Sequence, residues 1–199
     1  AVTLPRAGNL GGGGFMMVHL AEENKTVAID YREMAPADAF KDMFLDSQGD
    51  VDNRKARFSI QSSGVPGTVA GLVYAQENYG KLSLKEVIKP AINLARNGIL
   101  VSISLSESLA SRSERLQGDP GSKKYFFKKN GDGYDPDDIL QQRDLAASLG
   151  RIAANGTAGF YKGKTAALIV DQMDRTGGLI TEADLSNYTV IERTPVCGD

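Results

Sequence analysis

Cysteine and histidine are almost absent from this chain, which contains one residue of each. The single cysteine, Cys197, excludes an intrachain disulfide and a paired-cysteine metal or redox site, so we interpret it as a small apolar side chain. The single histidine, His19, excludes a zinc site built from several histidines. His19 lies between Val18 and Leu20 in a predicted strand, which favours a packing or surface residue over a catalytic base. We therefore expect no cofactor-binding and no metal-binding residues here.

The chain also has no excess of positive charge and no long apolar run. Its 23 lysine and arginine residues stand against 25 aspartate and glutamate residues, giving a formal net charge of −2. Without a basic excess, neither nucleic acid nor an anionic membrane is an expected partner. No stretch reaches the roughly 20 apolar residues of a transmembrane helix, and the first residues do not resemble a signal peptide. With 41% hydrophobic and 24% charged residues, the composition predicts a single globular domain over 1–199.

Glycine, by contrast, is abundant, with 22 residues, of which four are consecutive at 11–14. They lead into an apolar stretch at 15–18, and a second apolar stretch follows at 26–29 after a polar turn. This pattern predicts a β-hairpin within 11–31 whose first strand lies close to another backbone or a ligand, because glycine has no Cβ in the way. A phosphate loop is disfavoured, because its glycines would precede a helix rather than a strand.

Arg32 follows the second predicted strand, within the sequence DYREMAP at 30–36. A guanidinium group offers a planar fork of donors that matches a carboxylate through two parallel hydrogen bonds. Arg32 is therefore our candidate ligand for a substrate carboxylate. The residues alone favour a structural role instead, in which Arg32 pairs with Asp30, Glu33 or a more distant acid.

The rest of the chain is predicted to be mainly helical. Capping boxes at 83–86 and 181–184 mark two helix starts, and Pro90 predicts either a kink or two short helices in the first of them. The remaining predictions are helices over about 36–46, 64–78, 83–97, 104–117, 143–154, 162–175 and 181–188, strands over 125–128 and 190–196, and loops over 47–63 and the rest of 118–137.

Eight segments together resemble the gamma-glutamyltranspeptidase family, in its order and at its approximate spacing. They are GNLGGGGFM at 8–16, DYREMAP at 30–36, FLD at 44–46, GVPGTVAGL at 64–72, AINLARNG at 91–98, GFYKG at 159–163, GLITEADL at 178–185 and ERTPV at 192–196. The resemblance covers essentially the whole chain and is confined to the large subunit, so it implies an interior piece of the family's precursor. It also implies that Arg32 grips the α-carboxylate of the γ-glutamyl group, which reverses the structural role favoured by the residues alone.

The resemblance further implies a fold and an activity. The fold is a helix-rich α/β (α+β) part of an αββα N-terminal-nucleophile hydrolase, with a sheet that is incomplete without the small subunit. The activity is that of a γ-glutamyltransferase and glutathione hydrolase, matured by autoprocessing of a zymogen and located in the periplasm or outside the cell. The expected partners are the small subunit, in a heterodimer, and glutathione or another γ-glutamyl compound.

The family's nucleophile is a threonine at the start of the small subunit, whose own α-amine acts as the base. The resemblance therefore implies no catalytic residue in this chain and no activity of the chain alone. Two other functions stay open. An acylase of the same fold, of the cephalosporin or glutaryl type, is compatible with Arg32, because a dicarboxylate acyl group also carries an anion. The second open function is that of a non-catalytic fragment or scaffold that only binds a partner.

Overall fold

The computed structural model describes residues 1–196 and 198, and among them two small antiparallel sheets lie between helices. The prediction for Cys197 lies outside the described residues. The predicted strand over 190–196 forms over a shorter range. The strands are β1 (Gly14–Leu20), β2 (Lys25–Tyr31), β3 (Ile99–Leu100), β4 (Ile139–Leu140) and β5 (Ile191–Arg193).

Five of the α-helices in the described residues begin after a residue whose side chain accepts a hydrogen bond from the first turn. The predicted capping box of α3 is formed: Ser83 Oγ accepts a hydrogen bond from the Glu86 N–H at 3.3 Å, and Glu86 Oε2 accepts one from the Ser83 N–H at 2.9 Å. This helix runs unbroken through Pro90. The helices are α1 (Asn53–Phe58), α2 (Thr68–Tyr79), α3 (Leu84–Asn97), α4 (Ile103–Ala110), α5 (Ser113–Gly118), α6 (Pro120–Phe126), α7 (Arg143–Asn155), α8 (Ala158–Tyr161), α9 (Gly163–Thr176) and α10 (Glu182–Asn187), with a 3₁₀ helix at Ile60–Ser62.

The predicted hairpin is confirmed as part of the larger sheet, in which the strand order is β1-β2-β5. Strands β1 and β2 pair antiparallel from Gly14 opposite Tyr31 to Leu20 opposite Lys25. Side chains alternate between the two faces, so Ile29 of β2 is buried while the alternate residues of β1 are exposed. The sheet therefore presents one face to the helices.

Two hydrophobic cores hold the helices together. One joins α2, α8, α9 and α10 through residues such as Val69, Phe160 and Leu185, and the other joins α3, α4, α7 and β4. Helix α2 crosses the end of β2 so closely that a Cβ added to Gly71 would overlap the ring of Tyr31. The contact is possible because Gly71 has no side chain. It also fixes the end of β2 on the helical layer.

The helix predicted over 36–46 is wrong. This segment consists of separate turns, in which the Pro36 carbonyl accepts from the Ala39 N–H at 3.0 Å and the Phe40 carbonyl accepts from the Met43 N–H at 3.3 Å. Phe40 is 64% exposed, whereas Met43 is buried. Phe40 therefore adds no packing that would hold this segment as a helix, and a short helix without packing is marginal.

Three further predictions also need correction. The predicted loop over 47–63 contains α1, because Asp52 caps its first N–H groups. The first half of the predicted strand over 125–128 belongs to α6, which Asp119 caps. The helix predicted over 104–117 is divided into α4 and α5, and α8 was not predicted. Among the described residues, none of the helices combines the length and the apolar character that a bilayer-spanning helix needs.

Candidate functional site

Arg32 lies one residue past the end of β2, where the hydrogen bonds of the sheet stop. Its main-chain groups are satisfied by side chains instead. The Arg32 N–H donates to Asp30 Oδ1 at 3.0 Å, and the Arg32 carbonyl accepts from the Tyr188 hydroxyl at 2.9 Å. Arg32 thus lies just beyond the end of the central strand, and the side chains of Asp30 and Tyr188 hold its backbone there.

The guanidinium group of Arg32 reaches into solvent, with 69% of the side chain exposed. Its Nε atom lies 3.1 Å from Glu33 Oε2. Within the described residues, its two Nη atoms have no hydrogen-bond or ion-pair partner. The structural role weighed for Arg32 is therefore observed in part, as a pair with Glu33. That pair leaves the end of the guanidinium fork free to bind an anion.

A cleft of about 450 Å³ opens beside Arg32. Such a volume suits a small-molecule ligand. One wall is the segment that continues from Arg32, and the other is the end of the 3₁₀ helix with the residues after it. An antiparallel bridge between Met34 and Val65 joins the two segments. Its lining includes Arg32, Glu33, Met34, Pro36, Met43 and Gln61–Gly64.

The glycine-rich segment packs against the chain that carries Arg32, as its sequence predicts. A Cβ added to Gly13 would lie 2.6 Å from the Glu33 nitrogen and 2.9 Å from Glu33 Oε2. Any other residue at this position would push Glu33 away from Arg32. Of the four glycines, Gly13 is therefore the one whose missing side chain allows two backbones to pack closely just before β1.

Asp30 anchors the end of β2 from the opposite side. Its Oδ1 atom accepts from the Arg32 N–H and its Oδ2 atom lies 2.6 Å from Arg193 Nε of β5. The hydrogen bond from the Arg32 backbone, followed by the one from the Arg193 side chain, lowers the pKa of Asp30 below its ordinary value. Asp30 is therefore ionised at neutral pH and unavailable to the Arg32 guanidinium.

We expect Asp30→Asn to make the protein less sensitive to acid. Because the pKa of Asp30 is lower in the folded than in the unfolded state, its stabilising contribution is present above about pH 4 and is lost as the pH falls through the lowered value. Thermal unfolding midpoints between about pH 5 and pH 3 measure this loss. The midpoint should fall less with acid in Asp30→Asn than in the parent. Asp38→Asn, at an exposed carboxylate, is the control, and equal slopes in parent and Asp30→Asn would contradict the prediction.

Helix α10 and Tyr188, the residue that follows it, contact the Arg32 segment at two points that sequence reasoning missed. Besides the Tyr188 hydroxyl, which binds the Arg32 carbonyl, Asp184 Oδ1 accepts from the Ala37 N–H at 2.9 Å. The Asp184 carboxylate had been identified only as a helix cap, a role that its other oxygen performs. The sequence gives one signal for this contact: a capping aspartate has a second carboxylate oxygen that can accept a further hydrogen bond.

His19 is exposed on β1, where its Nδ1 atom lies 3.0 Å from the Thr26 hydroxyl of β2. The prediction of a surface or packing residue is confirmed. The imidazole thus takes no part in the cleft beside Arg32.

Comparison with known proteins identifies the family. The sequence model of the Gamma-glutamyltranspeptidase family matches residues 1–199. The chain is 47% identical to the glutathione hydrolase proenzyme of Escherichia coli (strain K12), over 100% of this chain and 34% of that protein. The chain thus spans about a third of the length of the curated relatives that it matches.

Solved structures agree with the sequence. The crystal structure of Helicobacter pylori gamma-glutamyltranspeptidase superimposes with a TM-score of 0.97 at 46% identity, covering 100% of this chain and 57% of that one. The cephalosporin acylase from Bacillus halodurans superimposes with a TM-score of 0.84 at 21% identity, covering 100% of this chain and 37% of that one. At this identity the acylase likeness shows the fold alone.

These likenesses confirm the predicted helix-rich part of an αββα N-terminal-nucleophile hydrolase fold. The family match extends over every segment that suggested it, from the glycines before β1 to the residues of β5. This chain belongs to the gamma-glutamyltranspeptidase family.

Proposed function

We propose that this chain is the large-subunit portion of an enzyme that cleaves the γ-glutamyl amide of glutathione and related compounds. The enzyme transfers the γ-glutamyl group to water or to an amino acid or peptide. The observation that carries this proposal is the free end of the Arg32 guanidinium beside a cleft, in a chain of this family. The names of the relatives, glutathione hydrolase proenzymes, support it.

Arg32 binds the α-carboxylate of the γ-glutamyl group in this proposal. Glu33 occupies the Nε side of the guanidinium, so the carboxylate accepts its two parallel hydrogen bonds from the Nη atoms at the end of the fork. An end-on pair of this kind fixes both the distance and the direction of the carboxylate. The γ-carbonyl group, separated from it by the glutamyl carbon chain, is thereby held at one place relative to the cleft.

The nucleophile comes from the partner subunit in this scheme. The hydroxyl of an N-terminal threonine attacks the γ-carbonyl carbon while the α-amine of the same threonine takes up its proton. The tetrahedral intermediate collapses to a γ-glutamyl ester of the enzyme, and the proton leaves with the amine product. Water or an acceptor amine then attacks the ester and regenerates the hydroxyl. This chain binds and orients the substrate, so it is expected to be inactive alone.

The partner in this proposal is a small subunit released from the same precursor, and the two form a heterodimer. Two facts support it: the relatives are named proenzymes, and they are about three times as long as this chain. We also propose that residues 1–199 form a single domain and that the enzyme works in the periplasm or outside the cell, as the family resemblance implies.

Three anilide substrates test the proposed function. The protein assayed contains this chain and has the full length of these relatives. The γ-glutamyl anilide bears the α-amine and the α-carboxylate, the glutaryl anilide lacks only the amine, and the 4-aminobutanoyl anilide lacks only the carboxylate. We expect the γ-glutamyl anilide to have the highest kcat/KM, because it alone satisfies both recognition groups. A charge-assisted hydrogen bond contributes about 1.5–3 kcal/mol and the missing carboxylate removes two of them, so the 4-aminobutanoyl anilide should be poorer by at least about ten- to hundredfold.

The alternatives give different results in the same assay. A higher kcat/KM for the glutaryl anilide would contradict the proposal in favour of a dicarboxylate acylase. Release of aniline from none of the three substrates by the matured protein would contradict it in favour of a non-catalytic scaffold.

A further inference from the structure

The position of the Arg32 main chain depends on a tyrosine far away in the sequence. Beyond β2, the Arg32 carbonyl has lost its sheet partner, and the Tyr188 hydroxyl donates to it at 2.9 Å across 156 sequence positions. The guanidinium group itself is exposed and is contacted by Glu33. The direction of the exposed side chain therefore follows from how its backbone is held.

Tyr188 is held rigidly enough to serve this purpose. Its ring stacks on that of Tyr161, with centroids 5.5 Å apart and planes 5° from parallel. Tyr161 is buried, and its hydroxyl donates to the Pro66 carbonyl at 2.7 Å and accepts from the Ala70 N–H at 3.2 Å. The stack thus connects the Arg32 carbonyl to the start of α2, which belongs to the hydrophobic core.

The chemistry of the Tyr188 hydroxyl also suits a permanent donor. Burial, together with the negative charges of Asp30 and Glu33, raises the pKa of Tyr188 to about 12. The hydroxyl therefore keeps its proton throughout the range in which enzymes work. The contact between Asp184 and the Ala37 N–H fixes the same segment five residues further on.

We propose that Tyr188 is a positioning residue, which through the carbonyl of Arg32 sets the direction in which the guanidinium group meets the substrate α-carboxylate. The proposal rests on the proposed function, since it needs a substrate that bears that carboxylate. Tyr188 acts through Arg32 and makes no contact with the substrate itself.

Tyr188→Phe tests this role, because it removes the hydroxyl and keeps the ring that stacks on Tyr161. The readout is the ratio of kcat/KM for the γ-glutamyl anilide to that for the 4-aminobutanoyl anilide, measured in the full-length protein. This ratio reports recognition of the α-carboxylate and does not depend on the fraction of enzyme that is folded. We expect it to fall about three- to tenfold, mainly through a higher KM for the γ-glutamyl anilide, which is the scale of one hydrogen bond.

Tyr125→Phe is the matched control. It removes a tyrosine hydroxyl that donates to the Asp144 carboxylate on another face of the chain, so it should leave the ratio unchanged. An unchanged ratio in Tyr188→Phe, or an equal fall in Tyr125→Phe, would overturn the proposal.

A double-mutant cycle with Arg32→Lys shows whether Tyr188 acts through Arg32. In the Arg32→Lys background, Tyr188→Phe should lower the ratio less than in the parent, because the fork that it positions is already gone. The same fall in both backgrounds would overturn the positioning role. If the parent does not hydrolyse the γ-glutamyl anilide, the proposed function fails and this inference with it. If the parent is active and the ratio in Tyr188→Phe is unchanged, only the inference fails.

Discussion

Arg32→Lys should reduce kcat/KM for a γ-glutamyl anilide by about ten- to hundredfold. Lysine keeps the positive charge but replaces a planar fork of donors by a single ammonium group, so one of the two parallel hydrogen bonds to the carboxylate is lost. A hydrogen bond to a charged group contributes about 1.5–3 kcal/mol, and each 1.4 kcal/mol is a factor of ten. Lysine also removes the Nε atom that pairs with Glu33.

The effect should appear mainly as a higher KM. In the proposed function, the α-carboxylate is bound in the ground state as well as in the transition state, and loss of such uniform binding raises KM more than it lowers kcat. Steady-state kinetics on the full-length protein separate the two constants. Arg175→Lys is the control, because Arg175 is an exposed residue of α9 that pairs with Asp171 within the same helix. A KM in Arg32→Lys equal to that of the parent would rule out Arg32 as the carboxylate ligand.

Gly71→Ala should destabilise the protein by about 3 kcal/mol, although alanine is the better helix former. The added Cβ would overlap the ring of Tyr31, in a contact between α2 and β2 that leaves no space for it. Overpacking of a close contact typically costs about 1–3 kcal/mol, occasionally more, and here the neighbouring ring is the last residue of β2. The end of the strand must move, and Arg32 follows directly after it.

Gly150→Ala provides a control of the same chemistry. Gly150 lies within α7, and a Cβ added there meets no atom within 4 Å. The same substitution should therefore stabilise the protein by up to about 1 kcal/mol, since alanine loses less backbone entropy in a helix. Thermal unfolding of both variants beside the parent measures the difference. If Gly71→Ala is no less stable than Gly150→Ala, the ring of Tyr31 can move aside without loss of stability, and the prediction is wrong.

Local signals in the sequence predicted those parts of the fold whose cause is local. The hairpin follows from two short apolar stretches around a polar turn, and the capping boxes of α3 and α10 mark their helix starts correctly. The missed helix α1 has an equally local cause. Helix α1 has no buried residue and so no apolar stripe, and its only signal is the capping Asp52, which lies within a polar stretch that is typical of a loop.

The candidate site could be predicted only in its outline. The location of Arg32 after a strand follows from the sequence around it, and so does the close approach of the glycines. The partners of its backbone do not, because Tyr188 and Asp184 reach the segment over 156 and 147 positions of the chain. No periodicity within a window of residues reports such a contact. The pairing of Arg193 with Asp30, over 163 positions, is missed for the same reason.

The separation of Arg32 and Tyr188 in the sequence also determines when their hydrogen bond can form during synthesis of the chain. Synthesis at about 5–20 residues per second needs about 8–30 s to add the 156 positions that separate Arg32 from Tyr188. During that interval the β1–β2 hairpin has been synthesised, but the Tyr188 hydroxyl that donates to the Arg32 carbonyl has not. The backbone of Arg32 therefore acquires this hydrogen bond only after the residues that separate it from Tyr188 have been synthesised.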